Sequence, residues 1–227
     1  MLLLFPPPAL AADLPAGFVR LADIDPTIRQ DMRYAGKDNF LGRPAKGYEA
    51  PACILTKKAA EALSKAQKGL VPNGLTLVVF DCYRPDRAVK DFAAWVGKSR
   101  QKDPRWHPNV QRRNLIRQGY IASRSGHSRG STVDLAIAPV TPTGPAKEPA
   151  CGAQKAATLD FATGFDCLDP KSTTAYSPLP PAAVANRKRL VDAMSAAGFR
   201  NYSKEWWHFT LNGEPFPKRY FDFPVTN

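Results

Sequence analysis

The spacing of apolar residues along this chain changes period several times, and each change predicts an element. From Thr56 to Gly69, a Thr56 cap precedes Ala59, Ala60, Leu63 and Ala66 at helical spacing, and a glycine closes the run. Leu75 to Phe80 (LTLVVF) is a β-rich run ending at the turn Asp81-Cys-Tyr-Arg-Pro85, so Arg84 falls just past a strand. Asp86 then caps a predicted amphipathic helix holding Ala88, Val89, Phe92, Ala93, Trp95 and Val96. A further helix is expected between Pro108 and Arg117. Val133 to Ala138 reads as a strand with Asp134 on one face and Val133 and Leu135 on the other. Ala182 to Ala197 is the clearest helix, with Val184, Leu190, Val191 and Met194 on its apolar side. Arg187 to Arg189 are expected to be more exposed there, and Gly198 stops the helix. Trp206 to Leu211 reads as a last strand. The stretch from Phe18 to Tyr34 shows no sustained period, and Pro139 to Ala150 is a Pro, Thr and Gly-rich loop that weakly patterned sequence extends to Cys167.

With 227 residues, 44% of them hydrophobic, the chain can bury one good core, which predicts a single compact α+β domain over residues 13–227. The 22 prolines break up long helices over much of the sequence. Thirty-two basic against 20 acidic residues give a formal charge of +12. The basic residues are scattered, as in Lys57-Lys58 and Arg187-Lys188-Arg189, without a nucleic-acid motif, so a solvated surface is expected instead of a nucleic-acid site. Residues 1–12 are apolar and end in small residues, Ala9-x-Ala11, like the end of a secretory signal without its positive start; the alternative is a disordered tail. Export to the periplasm or medium is the expectation, with a cytoplasmic chain as the alternative. The remaining segments are too short and polar for a membrane span. Four cysteines fit an exported chain. Cys151 and Cys167 flank a loop and are the first choice for a disulfide, whereas Cys53 and Cys82 either pair or stay as small buried hydrophobes.

Two of the three histidines lie in unusually polar patterns; His107 does not, and is read as structural or surface. In Ser125-Gly-His127-Ser-Arg-Gly130-Ser-Thr-Val-Asp134, a tight glycine turn between the histidine and a strand aspartate would let both converge on one point. In Glu205-Trp-Trp-His208, the glutamate and histidine serve one site only if Glu205 precedes the strand or lies at a bend. Two imidazoles, one carboxylate and a spare glutamate make up the inventory of a catalytic zinc site with an open fourth position. A structural zinc would more often be closed by four protein ligands. Zinc polarises a carbonyl and activates water, and a nearby glutamate can carry the proton, which together describe peptide hydrolysis.

These segments resemble the zinc peptidase family that contains the D-alanyl-D-alanine dipeptidases, DD-carboxypeptidases and related cell-wall peptidases. Tyr34-Ala-x-x-Asp38-Asn-Phe-x-Gly42, Asp81-x-Tyr-Arg84-Pro, Gly164-Phe-Asp166, Glu205-Trp-Trp-His208 and Tyr220-Phe-Asp-Phe-Pro224, in that order, match the dipeptidase branch from about Asp23 onward. The resemblance implies a central antiparallel sheet with flanking helices and one Zn2+ held by His127, Asp134 and His208. It further implies Glu205 as general base, Arg84 on the developing oxyanion and Asp166 on the free ammonium of a dipeptide, with Ser125 and Tyr34 as lesser substrate contacts. Between Asp134 and Asp166 this chain is longer than the family pattern and carries Cys151, so strict dipeptide specificity follows less directly than zinc hydrolysis. The rival expectations are a DD-carboxypeptidase or endopeptidase with the same zinc site, and a non-catalytic zinc protein docking cell-wall polymer through its positive surface.

Overall fold

The computed structural model describes residues 14–141, 148–153 and 157–227; the expected signal-like or disordered tail over 1–12 lies outside them. Strand β1 (Phe18–Arg20) runs into a short helix α1 (Leu21–Ile24), followed by β2 (Arg29–Gln30) and β3 (Ile54–Thr56). Helix α2 (Lys57–Leu70) starts where Thr56 accepts the Ala59 amide, as expected of a cap. It passes through Gly69, and a 3-10 turn over Val71–Asn73 continues to Gly74, whose φ of +69° makes it the residue that reverses the chain. Then come β4 (Leu75–Asp81), α3 (Asp86–Val96), β5 (Thr132–Pro139), α4 (Pro181–Ala196), β6 (Phe199–Asn201) and β7 (His208–Leu211).

Five strands form the main sheet in the order β2-β4-β5-β7-β6. All its pairs are antiparallel except β2 with β4, so the α+β class is observed with one parallel edge. Strands β1 and β3 make a separate antiparallel pair. Leu77, Val79, Val133, Leu135 and Ile137 are fully buried, and helices α2 and α4 pack on each other and on this central part of the sheet. Along β4 and β5 the pairing steps by one residue between Val79 and Asp81, a β-bulge, so that Asp81 lies across from Asp134.

Four local expectations change. The segment 108–117 holds only a 3-10 turn, Arg112–Asn114; its buried apolar residues Val110 and Leu115 are five apart, a spacing one helical face cannot serve. Asp86 is inside α3 and not its cap: Pro85 occupies that position, and Asp86 pairs with Lys90 one turn on. On α4, Val184 is 51% exposed, whereas Arg187 is 1% exposed and donates to the carbonyls of Phe161, Lys171 and Thr173. The last strand starts at His208, leaving Glu205 to Trp207 in the turn before it, with both tryptophans buried. His107 is buried and structural, its Nδ1 2.9 Å from the Val110 carbonyl. Both disulfides form, Cys151 to Cys167 and Cys53 to Cys82. Among the described residues no helix is long and apolar enough to cross a membrane.

Candidate active site

Residues directly opposite each other in a ladder point to the same face. Asp81 of β4 is opposite Asp134 of β5, and Asp134 is opposite His208 of β7. Three adjacent strands therefore set two carboxylates and an imidazole in a row. His127 reaches this row from a 3-10 turn over Gly126–Arg129, where its amide donates to Ser125 Oγ at 3.3 Å. Gly130 ends that turn with φ +76°, and a Cβ there would lie 2.2 Å from Phe18 Cε1; conformation and close packing both call for glycine.

The His127 Nδ1–H donates to the Cys82 carbonyl at 2.7 Å, which leaves the Nε2 lone pair facing the row. That Nε2 lies 3.3 Å from Asp134 Oδ2 and 3.3 Å from His208 Nδ1, and His208 Nδ1 is 2.9 Å from Asp134 Oδ1. One ligand atom from each of the three residues lies within 4.8 Å of the others, so together they could hold a metal ion. The bonding of Asp134 tests the fit: its Oδ1 is buried, and no donor among the described residues is aligned to hydrogen-bond it. A buried carboxylate oxygen in that state is costly unless a cation completes it, and two imidazoles with a carboxylate suit a divalent transition metal. Burial pushes the Asp134 carboxyl up, but the two imidazoles outweigh it and hold the group well below the usual carboxylate range. Burial lowers His208 toward its neutral, metal-binding form, only partly opposed by Asp134.

Around this group stand the other predicted residues. The peptide turn that precedes β7 brings Glu205 onto the same cavity as His208, with Oε2 3.6 Å from His208 Nδ1. Burial, reinforced by the charges of Asp134 and Asp166, raises the Glu205 carboxyl well above its ordinary value. Arg84 is partly buried, with 12% of its side chain exposed; it directs Nε and a terminal nitrogen at Asp81 Oδ2 (2.9 and 2.8 Å), and lies over the rings of Tyr34 and Phe92 at 5.1 and 4.8 Å. Its terminal nitrogen is also 3.6 Å from Asp134 Oδ2. Asp166 accepts a 2.6 Å bond from the Tyr34 hydroxyl and sits at φ +59°, a left-handed conformation that the Cys151–Cys167 bridge adjoins. Burial pushes the Asp166 carboxyl up to about 8, although the Tyr34 bond pulls the other way. All eight residues, Tyr34, Arg84, Ser125, His127, Asp134, Asp166, Glu205 and His208, line one cavity of about 280 Å³. A larger recess, about 590 Å³, is bordered by Phe165 and Trp206 and contains none of these groups, so size alone does not mark the site.

Sequence reasoning missed Asp81 and Tyr48. Asp81 is fully buried, partners Arg84, accepts from the Tyr48 hydroxyl at 2.6 Å and lies 3.5 Å from His127 Nδ1. An aspartate closing a buried apolar strand three residues before an arginine was the available signal; Tyr48, 33 positions away, left none.

A trio that could hold a metal ion, beside a buried carboxyl and a fixed guanidinium, fits the equipment of a metal-dependent hydrolase. The chain belongs to the D-ala-D-ala dipeptidase family of peptidases, which it matches over residues 15–226. It is 42% identical over 200 residues to a D-alanyl-D-alanine dipeptidase of Streptomyces coelicolor, covering 87% of this chain and 93% of that one. A D-alanyl-D-alanine dipeptidase of Enterococcus faecium is 37% identical (92% and 98% covered), and one of Escherichia coli 32% (85% and 83%).

Proposed function

We propose that this protein is a zinc-dependent dipeptidase hydrolysing D-alanyl-D-alanine to D-alanine, with Glu205 as general base. The observation that carries the reading is the single small cavity lined by the metal-ligating trio together with Glu205, Arg84 and Asp166. At about 280 Å³ it falls just below the roughly 300–1,000 Å³ typical of drug-sized ligands, which favours a dipeptide over an intact stem peptide. His127, Asp134 and His208 would hold the zinc; when bound, it polarises the scissile carbonyl and lowers the pKa of water. Glu205, whose Oε2 lies 3.6 Å from His208 Nδ1, takes the proton of the attacking water and returns it to the departing amine. Arg84 cannot deprotonate and is held by Asp81, so its charge is in place before negative charge grows on the carbonyl oxygen. The free ammonium of the substrate meets Asp166, oriented by Tyr34, and the Ser125 side chain lines the same wall. Two buried disulfides and the signal-like start support a place outside the cytoplasm, where released D-alanine would come from cell-wall turnover.

The test is D-alanine release from D-Ala-D-Ala by protein with and without added zinc, beside a Glu205→Ala variant. Zinc-dependent release that the variant loses while still binding the metal is expected. Faster cleavage of a stem pentapeptide than of the free dipeptide would overturn the dipeptidase reading, and activity without any metal would overturn the zinc.

A further inference from the structure

The His127 imidazole is oriented by a backbone carbonyl, that of Cys82, and a carbonyl positions a ligand only as well as its own peptide is held. Cys82 follows the bulge that ends the regular β4–β5 pairing, so the ladder does not fix it. Its anchors come from elsewhere. Its side chain is bonded to Cys53, the residue immediately before β3, and the next amide, Tyr83 N–H, donates to the Ile54 carbonyl of β3 at 2.9 Å. Cys53 is itself tied down, its amide donating to Gln30 Oε1 at 2.9 Å. Beyond Tyr83, the Arg84 amide donates to the His127 carbonyl at 3.3 Å, so the Cys82 to Arg84 segment holds His127 by ring and backbone alike. Cys53, Cys82 and His127 are 1%, 0% and 0% exposed, so water has no access to replace these bonds.

We infer that the Cys53–Cys82 disulfide is a positioning element for the metal site: it fixes the carbonyl that orients His127 and the start of the loop that carries Arg84. This inference rests on the metal-binding reading of His127, Asp134 and His208. Partners of this kind, hydrogen-bonded to the second nitrogen of a ligating histidine, set ligand tautomer and orientation, and their loss weakens metal binding by about 10–100-fold. The consequence is an order of events. The two thiols lose two protons and two electrons to a disulfide-bearing oxidant, the Cys82 peptide is locked, and metal is then held at full strength. The Cys151–Cys167 bridge adjoins Asp166 and touches no metal-ligating residue, so it carries no such role.

Zinc affinity by chelator competition and the visible absorption of the cobalt-substituted protein should be compared for three oxidised chains. These are the wild type, Cys53→Ala/Cys82→Ala, and Cys151→Ala/Cys167→Ala. The first pair is expected to bind zinc about 10–100-fold more weakly and to shift the cobalt bands, while the second leaves both unchanged. As a second measurement, wild type made in a reducing cytosol should gain affinity on oxidation with glutathione disulfide. Equal affinity and spectra in the folded Cys53→Ala/Cys82→Ala and wild-type proteins would overturn the inference. So would failure of both the variant and the reduced chain to fold, because the disulfide would then hold the fold and not the ligand. If the oxidised wild type itself binds neither zinc nor cobalt, the metal reading fails, an outcome distinct from equal binding by both chains.

Discussion

Replacing Arg84 by methionine removes the guanidinium but keeps an unbranched side chain able to lie against Tyr34 and Phe92. What it leaves behind is Asp81, fully buried and stripped of its cation. Two unit charges about 4 Å apart at an effective dielectric of about 20 attract by about 4 kcal/mol. Asp81 keeps the 2.6 Å bond from Tyr48, so the expected destabilisation is somewhat smaller, about 3 kcal/mol. For a chain of this size that lowers the unfolding midpoint by about 6–12 °C. Asp81→Asn alone should cost less, about 2 kcal/mol, because it takes away the nearer partner of the partly buried Arg84 and leaves only Asp134 at 3.6 Å. The double variant buries no unpaired member of the ion pair and should be about 2 kcal/mol more stable than the sum of the single changes implies. Turnover behaves differently: Arg84→Met lowers kcat by about 10²–10³, and the double variant does not recover it. Urea unfolding of the metal-free proteins and initial rates on D-Ala-D-Ala measure the two effects separately. Single changes that add to within about 0.5 kcal/mol would refute the ion pair, and recovered turnover would refute the role given to Arg84.

Gly130→Ala forces a positive φ and a contact with Phe18, so it should cost about 2 kcal/mol or more; an unchanged thermal midpoint would show that the turn carrying His127 is not constrained as described. Arg187→Met leaves three carbonyls of the segment around Asp166 without their donor, for an expected loss of about 3–5 kcal/mol in urea unfolding; a loss below about 1 kcal/mol would contradict it. The Asp166 carboxyl, ordinarily near 3.8, is pushed up to about 8, so folding takes up a proton between those values. The contribution is fully present below the lower value and lost as pH rises through the upper one. Across that window the metal-free wild type should therefore lose stability with rising pH relative to Asp166→Asn; equal pH slopes would count against the buried acid.

Much of this was legible in the sequence where local pattern and tertiary packing agree. Helix α2 follows from Thr56 and the spacing of Ala59, Ala60, Leu63 and Ala66, and β5 from the alternation around Asp134. Of the eight residues that line the cavity, His127, Asp134, Glu205 and His208 stood out by their local pattern, whereas Tyr34, Arg84, Ser125 and Asp166 came as site residues only through the family resemblance. What was hidden depends on long-range pairing. Arg187 reads as a surface residue because nothing local shows that three carbonyls from residues 161–173 converge on it. The parallel edge strand β2 is two residues long, too short to carry a period. The orienting group for His127 is a backbone carbonyl, which any residue type could supply.

The irregularity in β4 has an implication for how such a fold could lose or gain its chemistry. Before it, Val79 is opposite Leu135; continued without a break, the same count would set Phe80 against Asp134 and turn Asp81 to the reverse side. The partner of Arg84 would then leave the cavity while Leu77 and Val79 kept their neighbours. A descendant that closed the bulge would retain its core and its outline and yet be inert. Whether the strand ends in an ionic or a greasy surface is thus a matter of parity, and residue identities compared position by position would not disclose the difference.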